Sequence, residues 1–297
     1  MKSFLLKVFL FLLPICFFIV FVEWQLRLKP NMFTIKKTQL DELCEEIEIL
    51  CLGSSYTYYG INPVYFSKKA YNAANPSQTW DNDQKILEKY IPKMPALQQV
   101  VLSVSYFSFF QNMDDNTERW RKKNYSISME VSKPDIFDDY LLFGIERQEL
   151  IPTWLGKIKP HTMNDLGFGT DYTFEKRSRI HEKKGAVLAK RYTLNRKRQE
   201  EMKGILEDMI RLCASRNITV VLFISPLHHS YREHLDKEQL DVMYSLLHDI
   251  KQKHANVILF NASSDSDFED DDFYDADHLN DLGAEKFTKK LDQFLQN

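Results

Sequence analysis

The sequence predicts an α/β fold: a three-layer α/β/α sandwich around a mostly parallel sheet. One N-terminal transmembrane helix should precede it, and an inserted lid or subdomain should interrupt it. Three observations carry this. Short apolar runs rich in β-branched residues, at 47–52, 99–105 and 219–224, read as strands buried on both faces. Amphipathic stretches separate them, the clearest at 194–216, where Met202, Leu206, Met209, Ile210 and Cys213 fall on one stripe. A Gly53-Ser54-Ser55 turn directly follows the first run. It lies where an open α/β sheet binds its ligands, at the carboxyl end of a strand.

Taken in order, residues 4–22 are apolar except for Lys7, about the length that crosses a bilayer core. Lys2 and Lys7 make a short basic start, and no small-x-small cleavage site follows. Residues 1–22 are therefore expected to be an uncleaved signal-anchor, with the lipid bilayer as the partner of residues 4–22. Arg27, Lys29, Lys36 and Lys37 on the far side weaken a positive-inside argument for either orientation. Residues 23–45 read as a polar linker, helical near 38–45, and 46–297 as the α/β domain. After the first strand, Pro63 opens a short helix at 64–69, and 70–74 is a second strand. Ser77 is expected to cap a helix carrying Trp80, Ile86, Leu87 and Tyr90. Residues 106–193 lose clear periodicity and are read as the insertion, because a structureless loop that long is foreign to a compact domain. Helices at 235–254 and 281–295 flank a last strand at 256–260.

With 297 residues and a net charge of −3, the chain suits one substantial core and gives no sign of a nucleic-acid partner. Its four cysteines, Cys16, Cys44, Cys51 and Cys213, show neither disulfide nor zinc spacing. Ten Lys or Arg and a single acid, Glu182, lie between Lys176 and Arg198. They suit a solvated helix face, or a groove for an anionic glycan or lipid headgroup. Eight acids lie between Asp265 and Asp277, but Asp270 stands where a calcium loop would need glycine, so a solvated loop is expected. The adjacent His228 and His229 are expected to be solvated. Without a third ligand at sensible spacing, no metal and no cofactor is expected.

Two segments carry chemistry. The first is Gly53-Ser-Ser-Tyr-Thr-Tyr-Tyr-Gly-Ile-Asn-Pro63, and the second is Asp275-Ala-Asp-His278-Leu-Asn280. Ser54 and Ser55 suit a helix cap, and equally an exposed nucleophile beside free helix N–H groups. A hydroxyl needs an imidazole to take its proton and a carboxylate to fix that imidazole's tautomer. Together with Tyr71-Asn-Ala-Ala-Asn-Pro-Ser77-Gln78, the segments resemble the SGNH/GDSL hydrolase superfamily. The narrower resemblance is to membrane-anchored bacterial members, including polysaccharide O-acetyltransferases and the teichoic-acid D-alanyl transfer protein.

That resemblance implies Ser55 as nucleophile, His278 as general base and Asp275 as its orienter. Asp277 competes for the last role, but its side chain is expected to point elsewhere in the turn. The implied oxyanion hole combines Ser55 N–H with Ser77, where the family has glycine, and Ser105, near where it has asparagine. The implied protein is a single-pass membrane enzyme of the bacterial envelope with its catalytic domain outside the cell. It would move or hydrolyse O-acyl groups of a cell-surface glycan, fed by a membrane-bound acyl-donor protein. The alternative is a catalytically degraded protein of this fold that binds glycan or assists envelope assembly.

Overall fold

A computed structural model describes residues 2–28, 30–115, 118–133, 141–142, 162–177, 182–190 and 196–296. Much of the expected insertion at 106–193 lies outside these residues. The chain divides into two compact units, Met1–Lys37 with Trp120–Pro160, and Thr38–Arg119 with His161–Asn297.

In the first unit, helix α1 (Lys2–Arg27) is long and apolar enough to cross a membrane, and none of its apolar window is buried. Near its end Glu23 is buried, accepting from Arg27 Nε at 2.9 Å and from Leu142 N–H at 3.0 Å. Helix α2 (Met32–Leu43) crosses the boundary between the units and covers most of the expected linker. It begins early because Asn31 Oδ1 accepts the N–H groups of Phe33 and Thr34, satisfying otherwise orphaned donors. The Phe33 ring meets Tyr125 edge-on in this unit.

The second unit is built on five parallel strands in the order β2-β1-β3-β4-β5. These are β1 (Ile49–Leu52), β2 (Ala70–Asn72), β3 (Gln99–Ser103), β4 (Thr219–Ile224) and β5 (Val257–Asn261). β1, β3 and β4 are almost wholly buried, as strands covered on both faces must be. The second unit's helices among the described residues, besides the end of α2, are α3 (Ser55–Gly60), α4 (Trp80–Tyr90), α6 (Glu182–Ala189), α7 (Arg196–Ala214), α8 (His229–Arg232), α9 (Lys237–Lys253) and α10 (Asp281–Gln296). The first unit adds α5 (Lys122–Ile127).

Alternation divides the sheet into two faces. Ile49, Cys51, Val101, Val221 and Phe223 pack with Phe287 and Leu291 of α10 in one cluster. Helices α4 and α7 pack against each other elsewhere in this unit. The chain runs from β1 to β2 on one side, then crosses β1 to reach β3 on the other. The sheet's switch point therefore lies at the carboxyl ends of β1 and β3, where Gly53 and Ser103 stand.

Local structure departs from expectation at three places. The turn after Pro63 is a single 3₁₀ turn, Pro63–Tyr65, held by the Asn62 side chain. Ser77 is not a helix cap: α4 starts at Trp80 after Thr79, and Ser77 takes the left-handed φ of 60°. A short helix, α8, follows His228, whose ring accepts the Ser230 N–H.

Candidate active site

Gly53 ends β1 with φ 120°, a conformation that favours glycine. A β-carbon there would stand 2.0 Å from Ser103 Oγ and 2.7 Å from Thr57 Oγ1. Its N–H donates to Asp83 at 2.8 Å, and the Ser54 N–H donates to Ser103 Oγ at 3.3 Å. These bonds set the turn that makes Ser55 the first residue of α3. Among the described residues the Ser55 N–H has no acceptor, as expected of a first-turn amide. Asn72, fully buried at the end of β2, anchors α3 by donating to Thr57 O and Ile61 O, both at 2.8 Å.

The facing loop lies between Phe273 and Leu279, which form an antiparallel bridge. Asn280 closes its base, donating to Asp271 O and Phe273 O and accepting the Gly283 N–H as α10 begins. Within the loop Asp275 Oδ1 accepts the N–H groups of Asp277 at 3.2 Å and His278 at 2.9 Å. That tight turn points the imidazole at α3. His278 Nε2 lies 2.8 Å from Ser55 Oγ, and Nδ1 lies 3.0 Å from Asp275 Oδ1. Serine, imidazole and carboxylate stand in one hydrogen-bonded series.

Asp277 corrects an expectation. Its Oδ1 lies 3.3 Å from the same His278 Nδ1, because the turn folds its side chain back beside the ring. Tyr56 OH donates to its other oxygen at 3.3 Å. Burial works against a charged imidazole, but the carboxylates of Asp277 and Asp275 outweigh it and raise the His278 pKa well above 6.5. Burial likewise opposes ionisation of Asp275, yet the His278 charge and hydrogen bond win and lower it to about 2.

Four tyrosines that sequence reasoning did not single out surround this pair. Tyr56 stacks on the His278 ring at 5.3 Å, while Tyr59 and Tyr172 meet it edge-on. Tyr172 is itself stacked between Tyr59 and Tyr274. Tyr56 and Tyr59, three apart on one helix, carried a readable signal. Tyr172, in the unpatterned stretch, carried none.

Behind the Ser54 turn is a small cavity lined by Gly53, Ser54, Asp83, Ser103, Ser105 and Phe107, among others. Ser54 Oγ and Asp83 Oδ2 are buried there without a hydrogen bond among the described residues. Asp83 is pushed up to about 7: burial dominates and the Asp81 charge adds to it, against hydrogen bonds from Gln78 and Gly53. Ser77 has the backbone φ of a glycine position but gives its hydroxyl to Glu118 at 2.8 Å. Ser105 gives its N–H to Ser108 Oγ at 2.9 Å, and the two hydroxyls are hydrogen-bonded at 2.8 Å. His228 is buried rather than solvated. Of the basic stretch, Arg177, Arg196 and Arg198 are paired with acids, and residues 178–181 and 191–195 lie outside the described chain.

Fold and site together define a class: a parallel α/β domain presenting a serine, an imidazole and a carboxylate in series at the sheet's switch point. The model of a family described as a protein of unknown function (DUF1574) matches residues 155–291. No curated protein matches the chain. Among solved structures, one provisionally described as a platelet activating factor from Streptococcus pneumonia is similar at 12% identity, over 88% of this chain and 91% of that one, with a TM-score of 0.44. One provisionally described as an acylhydrolase from Bacteroides fragilis is similar at 11% identity, over 88% and 95%, with a TM-score of 0.45. A GDSL-like lipase from Bacteroides thetaiotaomicron is similar at 12% identity, over 89% and 99%, with a TM-score of 0.43.

Proposed function

We propose that this chain is a membrane-anchored serine acyltransferase or esterase of the SGNH type, acting on O-acyl groups of a cell-surface glycan. The observation that carries the reading is the 2.8 Å approach of Ser55 Oγ to His278 Nε2, with Asp275 on the opposite ring nitrogen. In this reading Ser55 Oγ attacks the acyl carbonyl as His278 Nε2 takes its proton. The imidazolium returns that proton to the departing alkoxide, leaving an ester on Ser55. A sugar hydroxyl or water, deprotonated by His278, then takes the acyl group, and the imidazolium returns that proton to the departing Ser55 Oγ.

The carbonyl oxygen becomes an anion in both steps, and the free Ser55 N–H is its first donor. Ser108 Oγ accepts the Ser105 N–H, so it can direct its own proton to Ser105 Oγ. That leaves the Ser105 hydroxyl proton available as a second donor. The Ser77 backbone N–H is the third in this scheme. Each donor is worth on the order of 2.7–4 kcal/mol of transition-state stabilisation.

Labelling by a fluorophosphonate probe tests the nucleophile. Wild type and Ser54→Ala should label, and Ser55→Ala should not; equal labelling of wild type and Ser55→Ala removes the assignment. The competing reading is a binding or assembly protein, favoured by Ser77 and Ser105 standing where the resembled family has glycine and asparagine. A folded wild type that never labels would support it. In either reading α1 anchors the chain with the α/β domain outside the cell. Retention after alkaline carbonate washing, with cleavage of the domain by external protease in spheroplasts, checks that topology.

A further inference from the structure

His228 and His229 are adjacent in sequence and offer no third ligand nearby, but the fold brings one from 42 residues downstream. His228 Nε2 lies 2.9 Å from Asp270 Oδ1, and the two imidazole rings are 4.2 Å apart. One ligand atom from each of His228, His229 and Asp270 can be chosen so that all lie within 4.8 Å of one another. We propose that these three side chains form a binding site for a divalent transition metal, with Zn²⁺ the best-matched ion.

Three features support a site rather than a chance cluster. The first is ring orientation. His228 is buried, and its Nδ1 is held by Ser230 Oγ at 2.8 Å and by the Ser230 N–H. Phe273 meets the ring edge-on. Such outer partners fix a ligating histidine and aim its other nitrogen, and here Nε2 is aimed at the exposed Asp270.

The second feature is charge. Asp270, Asp271 and Asp272 are consecutive, yet Asp271 pairs with Arg177 and Asp272 with Lys286. Among the described residues the Asp270 carboxylate has only His228 as a polar partner. Its carboxylate is thus not already committed to a fixed cation.

The third is ligand chemistry. Two imidazoles and a carboxylate are a zinc donor set that leaves a position for water, with metal–ligand distances of about 2.0–2.2 Å. Tetrahedral ligands at that distance stand about 3.3 Å apart. Asp270 would therefore retreat from His228 by roughly half an ångström, a small movement for an exposed side chain. The proton on Nε2, now shared with Asp270, moves to Nδ1, where Ser230 Oγ at 2.8 Å can accept it in place of the Ser230 N–H contact, and the neutral ring gives its freed Nε2 lone pair to the metal. It would tie the segment after β4 to the one leading into Asp275 and His278. The inference does not depend on the proposed acyl chemistry.

The test uses the full chain in detergent, carrying no histidine tag. Zn²⁺ is titrated against a chromophoric chelator, Co²⁺ is followed by its visible absorption, and thermal unfolding is recorded with and without Zn²⁺. One equivalent should bind and raise the melting temperature. His229→Ala and Asp270→Asn change exposed side chains, so the fold should survive, while affinity should fall at least roughly 10–100-fold. His278→Ala should leave binding intact, since Asp275, Asp277 and His278 form a separate cluster, the other one with ligand-like spacing among the described residues. The proposal is overturned by no stoichiometric binding, or by binding that survives Asp270→Asn with His229→Ala. Binding lost only with His278→Ala also overturns it.

Discussion

Ser55 and His278 are 223 residues apart in the chain, yet Ser55 Oγ and His278 Nε2 meet at 2.8 Å. The contact requires two independently braced segments. Gly53 and Asn72 hold the serine helix, and Asn280 and the Phe273–Leu279 bridge hold the histidine loop.

Both Asp275 and Asp277 approach His278 Nδ1, but their other contacts differ. Asp275 also accepts two backbone N–H groups of the loop, whereas Asp277 is bonded to Tyr56 OH. Asp275→Asn should lower kcat by about 10⁴-fold through the wrong imidazole tautomer. Asp277→Asn, with Asp275 still in place, should cost less than roughly tenfold. Ester hydrolysis rates of the two variants decide it; a larger loss in Asp277→Asn would exchange the roles.

In the proposed reaction, with His278 as general base, its raised pKa has a kinetic consequence. A general base must be neutral to take a proton. Opposed by burial but held up by its two carboxylates, His278 stays protonated above the usual imidazole range. The rising limb of kcat/KM against pH should therefore lie well above 6.5. Asp277→Asn should move it to lower pH. A limb near 6.5, unmoved in that variant, contradicts the electrostatic account.

Asp83 is fully buried and holds the Gly53 amide, and its pKa is pushed up from 3.8 to about 7. Between those values the folded chain keeps a proton that the unfolded chain releases. The resulting stability is complete below pH 3.8 and lost as pH rises through 7, roughly 4 kcal/mol in all. Asp83→Asn should flatten the stability curve across this window while still accepting from Gly53. Urea unfolding of both proteins at several pH values tests it; a difference independent of pH would sink the idea.

Gly53→Ala should be among the most damaging small substitutions in the domain. The new methyl would overlap Ser103 Oγ at 2.0 Å, at a φ of 120°. Backbone strain alone costs about 1–3 kcal/mol, and the turn presenting Ser55 would shift. A melting temperature lowered by several degrees together with lost probe labelling is expected. Ser103→Gly in the same chain should recover only part, because it relieves the overlap and not the backbone. Normal labelling of Gly53→Ala would show that the turn tolerates the change.

The sequence alone located β1, β3 and β4, because a strand buried on both faces leaves a run of mostly apolar residues. β4 matches its expected bounds at Thr219–Ile224, and the flanking helices follow from their apolar stripes. The resemblance of its glycine-serine and Asp-x-x-His segments to a known superfamily pointed to Ser55, Asp275 and His278, and the fold brings these three side chains into one hydrogen-bonded series. Only the tertiary structure decided what depends on distant chain segments. It folded Asp277 back onto the imidazole and set Tyr172 against the same ring. It buried Asp83 beneath Gly53, and it carried Asp270 to His228. Periodicity reports which side of an element is buried, but not which remote side chain arrives there. Those meetings are set by the crossover from β2 past β1 to β3 and by the return of the chain after β5.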